Sequence, residues 1–141
     1  MYNALMIAKY IICHCRETGR PVSNLKLQKL LYFVQAEFLV STGYPCFFNR
    51  IEAWELGPVV PDVYHEYKAY GSGVIILTLN CEVDIPQKDQ KIIDRIVDLC
   101  NQFTASSLVE LTHRQTPWIN AKRSGYNTII SNESIREFFK N

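Results

Sequence analysis

At 141 residues the chain has the length of one domain, and folding is expected to remove somewhat under ~70% of its extended surface from water, enough for a core without disulfide support. The 48% hydrophobic and 21% charged composition excludes intrinsic disorder, and a net charge of +1, with Lys and Arg scattered among Asp and Glu, takes nucleic acid off the list of expected partners. The apolar opening "MYNALMIAKYIICHC" lacks a basic leader, a signal-type cleavage site and membrane-spanning length, so no membrane association is expected and the chain reads as cytoplasmic.

From Asn3 to about Arg16, Leu5, Ala8, Ile12 and Cys15 recur at helical spacing, and Ile7 and Ile11 widen the apolar stripe. Gly19 and Pro21 end this helix. Ser23 is placed to cap a second one, which carries Leu27, Leu30, Leu31, Val34 and Phe38 on one face and leaves through Gly43. The short aromatic stretch "CFFNRIEAW" reads as a small hairpin about an Asn-Arg turn, or as an extended arm. After the Gly57-Pro58 corner, Pro61 opens a third helix with Val60, Val63, Tyr64, Tyr67 and Tyr70, closed by Gly71.

"VIILTL" at 74–79 has the propensity of a buried strand. Pro86 then starts a helix through Ile92, Ile93, Ile96, Val97, Cys100 and Phe103. Thr104 or Ser107 caps the next, through Leu108 and Leu111 to Thr112 and His113. With Thr116 as cap and Pro117 in first position, "PWINAKR" forms a short helix ended by Gly125, and a final helix from about Asn132 carries Ile135, Phe138 and Phe139. The expected architecture is mainly α: a compact single-domain bundle of about six helices spanning 1–141, with a minor β-hairpin or short strand element.

Motifs for catalysis or metal binding are incomplete. His65-Glu66 begins like a metalloprotease helix, but position 69 is Ala where the second His would stand. Gly71 and Gly73 form a bare GxG without the remaining glycine or Lys of a phosphate cradle. Cys13, His14 and Cys15 fan out about 100° apart around a helix, poor geometry for one metal. The five cysteines, an odd number with no CxxC pair, read as reduced and mostly buried thiols, and the sequon at Asn132 stays unused. No catalytic residue, metal or cofactor is assigned. A small hydrolase with His113 as base, oriented by Glu110, is the minor alternative; the His ring can equally satisfy a helix end.

Two clusters stand out. Gln28, Tyr32 and Gln35 share a helix face flanked by Lys29 and Phe33, which suits either a partner surface or a buried polar network. Trp54 and Tyr64 flank the rigid Gly57, Pro58 and Pro61, a framework for an interface anchor, while Trp54 and Trp118 can equally lock a corner from within the core.

Taken together, "LKLQKLLYFVQAEFLVSTGYP" at 25–45, "IEAWELGPVVPDVYHEYKAYG" at 51–71 and "LVELTHRQTPWINAKR" at 108–123 resemble the Panacea domain of the SocA-like antitoxin family, also described as phage-associated or GepA-like. The resemblance covers nearly the whole chain. It implies an α-rich antitoxin domain encoded beside a toxin, often in prophage-like surroundings, that neutralises its cognate protein toxin by direct contact and has no catalytic activity. One relative instead works as a proteolytic adaptor, delivering its toxin to an AAA+ protease of the ClpXP type, which adds such a protease to the candidate partners; a second copy of the chain is a separate candidate. The signature positions carried over are Gln28, Lys29, Tyr32, Gln35, Trp54, Gly57, Pro58, Tyr64, Thr112, His113, Pro117 and Trp118. Longer relatives add an N-terminal segment or DNA-binding domain; here the resemblance begins almost at Met1, so promoter autoregulation is not expected. Partner identity is expected in 72–90 and in the tail from Tyr126.

Overall fold

Asn3 accepts the Leu5 N–H at 3.0 Å and so caps α1 (Ala4–Glu17), whose Ile7, Ala8, Ile11 and Cys15 are fully buried. Ser23 caps α2 (Asn24–Ser41) in the same way, through the Lys26 N–H, and Gly43 leaves that helix at φ +83°. The computed structural model describes residues 1–77 and 80–140. Within them follow β1 (Ile51–Trp54), β2 (Gly57–Val59), α3 (Pro61–Tyr67) with a 3-10 turn at Lys68–Tyr70, α4 (Gln87–Cys100), α5 (Ala105–His113), α6 (Thr116–Ser124), β3 (Ile129–Ile130) and α7 (Asn132–Phe139). The protein is therefore mainly helical, with a small antiparallel sheet in the order β2-β1-β3.

α2 is the axis of the molecule. It packs against α1, α3, α4, α5, α7 and β2, and its polar Gln28, Lys29 and Gln35 are as buried as Leu27, Leu30 and Leu31. One continuous cluster of buried residues draws on all seven helices, from Ile7 and Leu31 through Val63, Ile93, Leu108 and Ala121 to Ile135. α1 and the residues before it are held to α4 by polar pairs along one flank: Tyr2 with Asp89, Tyr10 with Asp94 (2.7 Å) and His14 with Asp98 (2.8 Å).

Several expectations need correction. The hairpin exists, but its turn is Glu55-Leu56. Asn49 and Arg50 precede the first strand, because the Asn49 side chain is engaged with the Ala4 N–H at 2.7 Å and with Asp62 at 2.8 Å. Gly57 and Pro58 lie within β2, not in a loop corner. The expected strand at 74–79 is absent over 74–77: Val74 forms one isolated bridge to Ser23, beyond which α2 begins and offers no further edge, while residues 78 and 79 lie outside the described residues. Ile75 there is buried at 4% exposure, between Val74 at 45% and Ile76 at 64%, so only one side of the segment meets the core.

Phe103 lies beyond the end of α4 and is exposed. Thr104, not Ser107, caps α5, and Gln115 occupies the position before α6, with Thr116 already helical. Cys13 and Cys81 form a disulfide across a Cα–Cα distance of 6.0 Å, contrary to the expectation of five free thiols; Cys15, Cys46 and Cys100 are free and buried. The tail from Tyr126 contributes β3, Ile130 and Ile135 to the core, so it is structural as well as terminal.

Candidate functional site

The three motif segments meet at the β1–β2 hairpin. In β1, side chains alternate across the sheet, so Glu52 and Trp54 share one face. Glu52 accepts from Trp54 Nε1 at 2.8 Å with one oxygen and from Arg50 Nε at 2.6 Å with the other. Trp54 meets Tyr64 of α3 edge to face, with ring centroids 5.0 Å apart. Its backbone carbonyl accepts the Trp118 indole N–H of α6 at 2.8 Å, and the next carbonyl, that of Glu55, lies 2.8 Å from His113 Nε2, which carries the proton in this pairing. The His113 and Trp118 rings stack at 4.2 Å. The two side chains thus grip two successive carbonyls at the hairpin turn.

β2 and the residue after it are gripped by α2. Lys29 Nζ donates to the Pro58 carbonyl at 2.8 Å, and Gln28 Oε1 accepts the Val60 N–H at 2.9 Å. The missing side chain of Gly57 is what lets the strand come so close: at φ +104°, a Cβ there would stand 2.8 Å from both Lys29 Cε and Thr112 Oγ1. Thr112 is fully buried and donates to the Val109 carbonyl at 2.8 Å. Pro117, also buried, pre-sets the first turn of α6 that carries Trp118.

Further along α2, Tyr32 donates to Gln115 Oε1 at 2.7 Å. Gln35 accepts the Cys46 and Phe47 N–H groups at 2.8 and 3.1 Å and donates to the Phe47 carbonyl at 3.0 Å. The polar face noticed in the sequence therefore runs through the interior, each side chain tied to a residue on a neighbouring segment. Lys29 has no carboxylate partner among the described residues, and burial lowers its pKa to about 7. Burial likewise raises the Tyr32 phenol well above its ordinary value.

Gln28, Lys29, Tyr32, Gln35, Gly57, Pro58, Thr112 and Pro117 are thus enclosed within this chain, while Trp54, Tyr64, His113 and Trp118 are half-buried. Glu110 pairs with Arg114 at 2.7 Å, and the His113 ring nitrogen is occupied by a backbone carbonyl. Alongside this knot opens a groove of about 630 Å³ between the hairpin, the start of α2 and α3, walled by Leu25, Trp54, Leu56, Tyr64, Lys68 and Tyr126. Leu56 is 55% and Tyr126 86% exposed. Tyr126 opens the tail in which partner identity was expected, whereas sequence reading singled out neither Leu56 nor Glu52, the latter of which its period-two spacing from Trp54 could have revealed.

Residues 27–119 match the family described as antitoxin SocA-like, Panacea domain. The chain is also 36% identical over 129 residues to a protein named antitoxin SocA from Caulobacter vibrioides, an alignment covering 82% of this chain and 68% of that protein. No solved structure matches it. The matched stretch runs from Leu27 on α2 to Ile119 on α6 and so contains the whole clamp around the hairpin. This chain belongs to the SocA-like antitoxin family and carries its Panacea domain.

Proposed function

We propose that this protein is the antitoxin of a toxin–antitoxin pair and neutralises a cognate protein toxin by direct contact. Membership of the SocA-like antitoxin family, through a match that takes in the clamped hairpin, is the observation that carries the reading. The interlocked interior supplies a rigid support, and the groove beside it supplies exposed aromatic and aliphatic area at low entropic cost. The groove rim, Leu56 and Tyr126 above all, is the toxin-facing surface in this proposal, with the enclosed signature residues holding it in shape. Glu55 and Lys68 in the groove offer one charge of each sign to orient the partner.

The test is co-expression with the products of the neighbouring genes. Rescue of growth and a co-purifying complex are expected, and L56D or Y126D is expected to reduce the recovered partner roughly tenfold or more while the melting temperature barely moves. A chain that neither rescues growth nor retains any neighbouring product overturns the reading. Repeating the experiment in cells lacking the AAA+ protease separates two modes. A partner present at normal level in both strains means sequestration; one that accumulates only without the protease means delivery for degradation.

A further inference from the structure

Cys13 lies on α1 at 4% exposure, and its partner Cys81 sits half-buried in the segment between the 3-10 turn and α4. That segment is anchored at its two ends. The Ile75 N–H donates to the Val22 carbonyl at 2.9 Å, Ile75 is buried, and Ile85 is buried immediately before α4. Between these anchors, the described polar and covalent ties to α1 are the disulfide and Arg16, which reaches the Leu77 carbonyl at 3.2 Å and Cys81 Sγ at 2.9 Å. We propose that Cys13 and Cys81 form a reversible redox tie, whose reduction by a dithiol releases the segment around Cys81 from α1 and leaves the rest of the fold in place.

The chemistry follows from exposure. A reductant thiolate attacks Cys81 Sγ, the more accessible sulfur; the disulfide bond breaks, and its electron pair goes to Cys13 Sγ, which takes up a proton. The second thiol of the reductant, losing its proton to solvent, then attacks the mixed disulfide, giving an intramolecular disulfide in the reductant and Cys81 as the departing thiolate. Two electrons pass to the protein in all, with one proton held on Cys13 and a second taken up when the Cys81 thiolate is protonated. The Arg16 guanidinium beside Cys81 favours the thiolate at that position, which assists both its departure and its later reoxidation. The three remaining cysteines do not compete. Cys15, Cys46 and Cys100 are enclosed, and burial raises the pKa of each, so they persist as unreactive thiols. The inference does not depend on the toxin-binding reading.

The segment contains Glu82, a cleavage site for glutamyl endopeptidase, whereas Glu37 on α2 serves as an internal control. The full-length protein, oxidised with glutathione disulfide, is expected to yield a linked Cys13–Cys81 peptide by mass spectrometry. Dithiothreitol is expected to speed cleavage after Glu82 roughly tenfold, by releasing a local opening, with cleavage after Glu37 unchanged. C13S and C81S should each show the faster rate with or without dithiothreitol. Absence of the linked peptide, equal rates in the two redox states, or parallel acceleration at Glu37 and Glu82 would each overturn the proposal.

Discussion

Lys29 sits at 0% exposure with a carbonyl, not a carboxylate, as its partner. Its folded pKa of about 7 lies below the ordinary value of 10.5, so between those two the unfolded chain binds the extra proton and stability rises with pH. One such group contributes a slope of at most ~1.4 kcal/mol per pH unit. Cys46 and Cys100, pushed up to about 12 and about 11, act in the opposite direction above about pH 8.5, because there the folded state holds their protons. The difference between wild type and K29M therefore isolates the lysine: denaturant melts from pH 7 to 10 are expected to show a rise in wild-type stability relative to K29M. Parallel curves would mean that Lys29 titrates normally. Gly57 is the second residue with a sharp expectation. G57A forces a Cβ against Lys29 and Thr112 from a left-handed backbone, and should cost about 2–4 kcal/mol in the same measurement.

At the scale of elements, the hairpin and α2 hold each other through side chains that end on backbone. Replacing Gln35 by Leu keeps the volume but strands the Cys46 and Phe47 N–H groups, an expected loss of about 2–5 kcal/mol. Amide exchange should then accelerate at residues 46 and 47 before it does in α2. W118F removes the indole donor to the Trp54 carbonyl and keeps most of the stack with His113, so a smaller loss of about 1 kcal/mol is expected by thermal melt. The helices themselves were largely legible. Ser23, and Thr104 of the Thr104-or-Ser107 pair, cap where short polar side chains can reach an orphan N–H, and the three-to-four spacing of Leu27, Leu30, Leu31 and Val34 marked the buried face. The strand expected at 74–79 was not, because β propensity says nothing about whether a neighbour is available to pair.

At the scale of the whole molecule, α7 closes the core. Phe139 meets both Tyr32 and Phe33 edge to face, and Ile135 is fully enclosed. A chain ending at residue 131 should lose about 4 kcal/mol or more, the combined worth of one Ile and one Phe packed in a core, and its gel-filtration profile should broaden as α2 is uncovered. An unchanged melt would place α7 outside the cooperative unit. No helix among the described residues is long and apolar enough to cross a membrane.

By itself the sequence determined the helical class, the cap at Ser23 and the family, since each rests on local spacing or on motifs that keep their order along the chain. Only the tertiary structure decided that the polar face of α2 points inward, that His113 holds a carbonyl, and that Cys13 finds Cys81 at a sequence separation of 68. Helical periodicity tells which residues share a face. What that face meets depends on where distant segments pack, and the desolvation that decided between a partner surface and a buried network for Gln28, Lys29 and Gln35 exists only once those segments have closed around them.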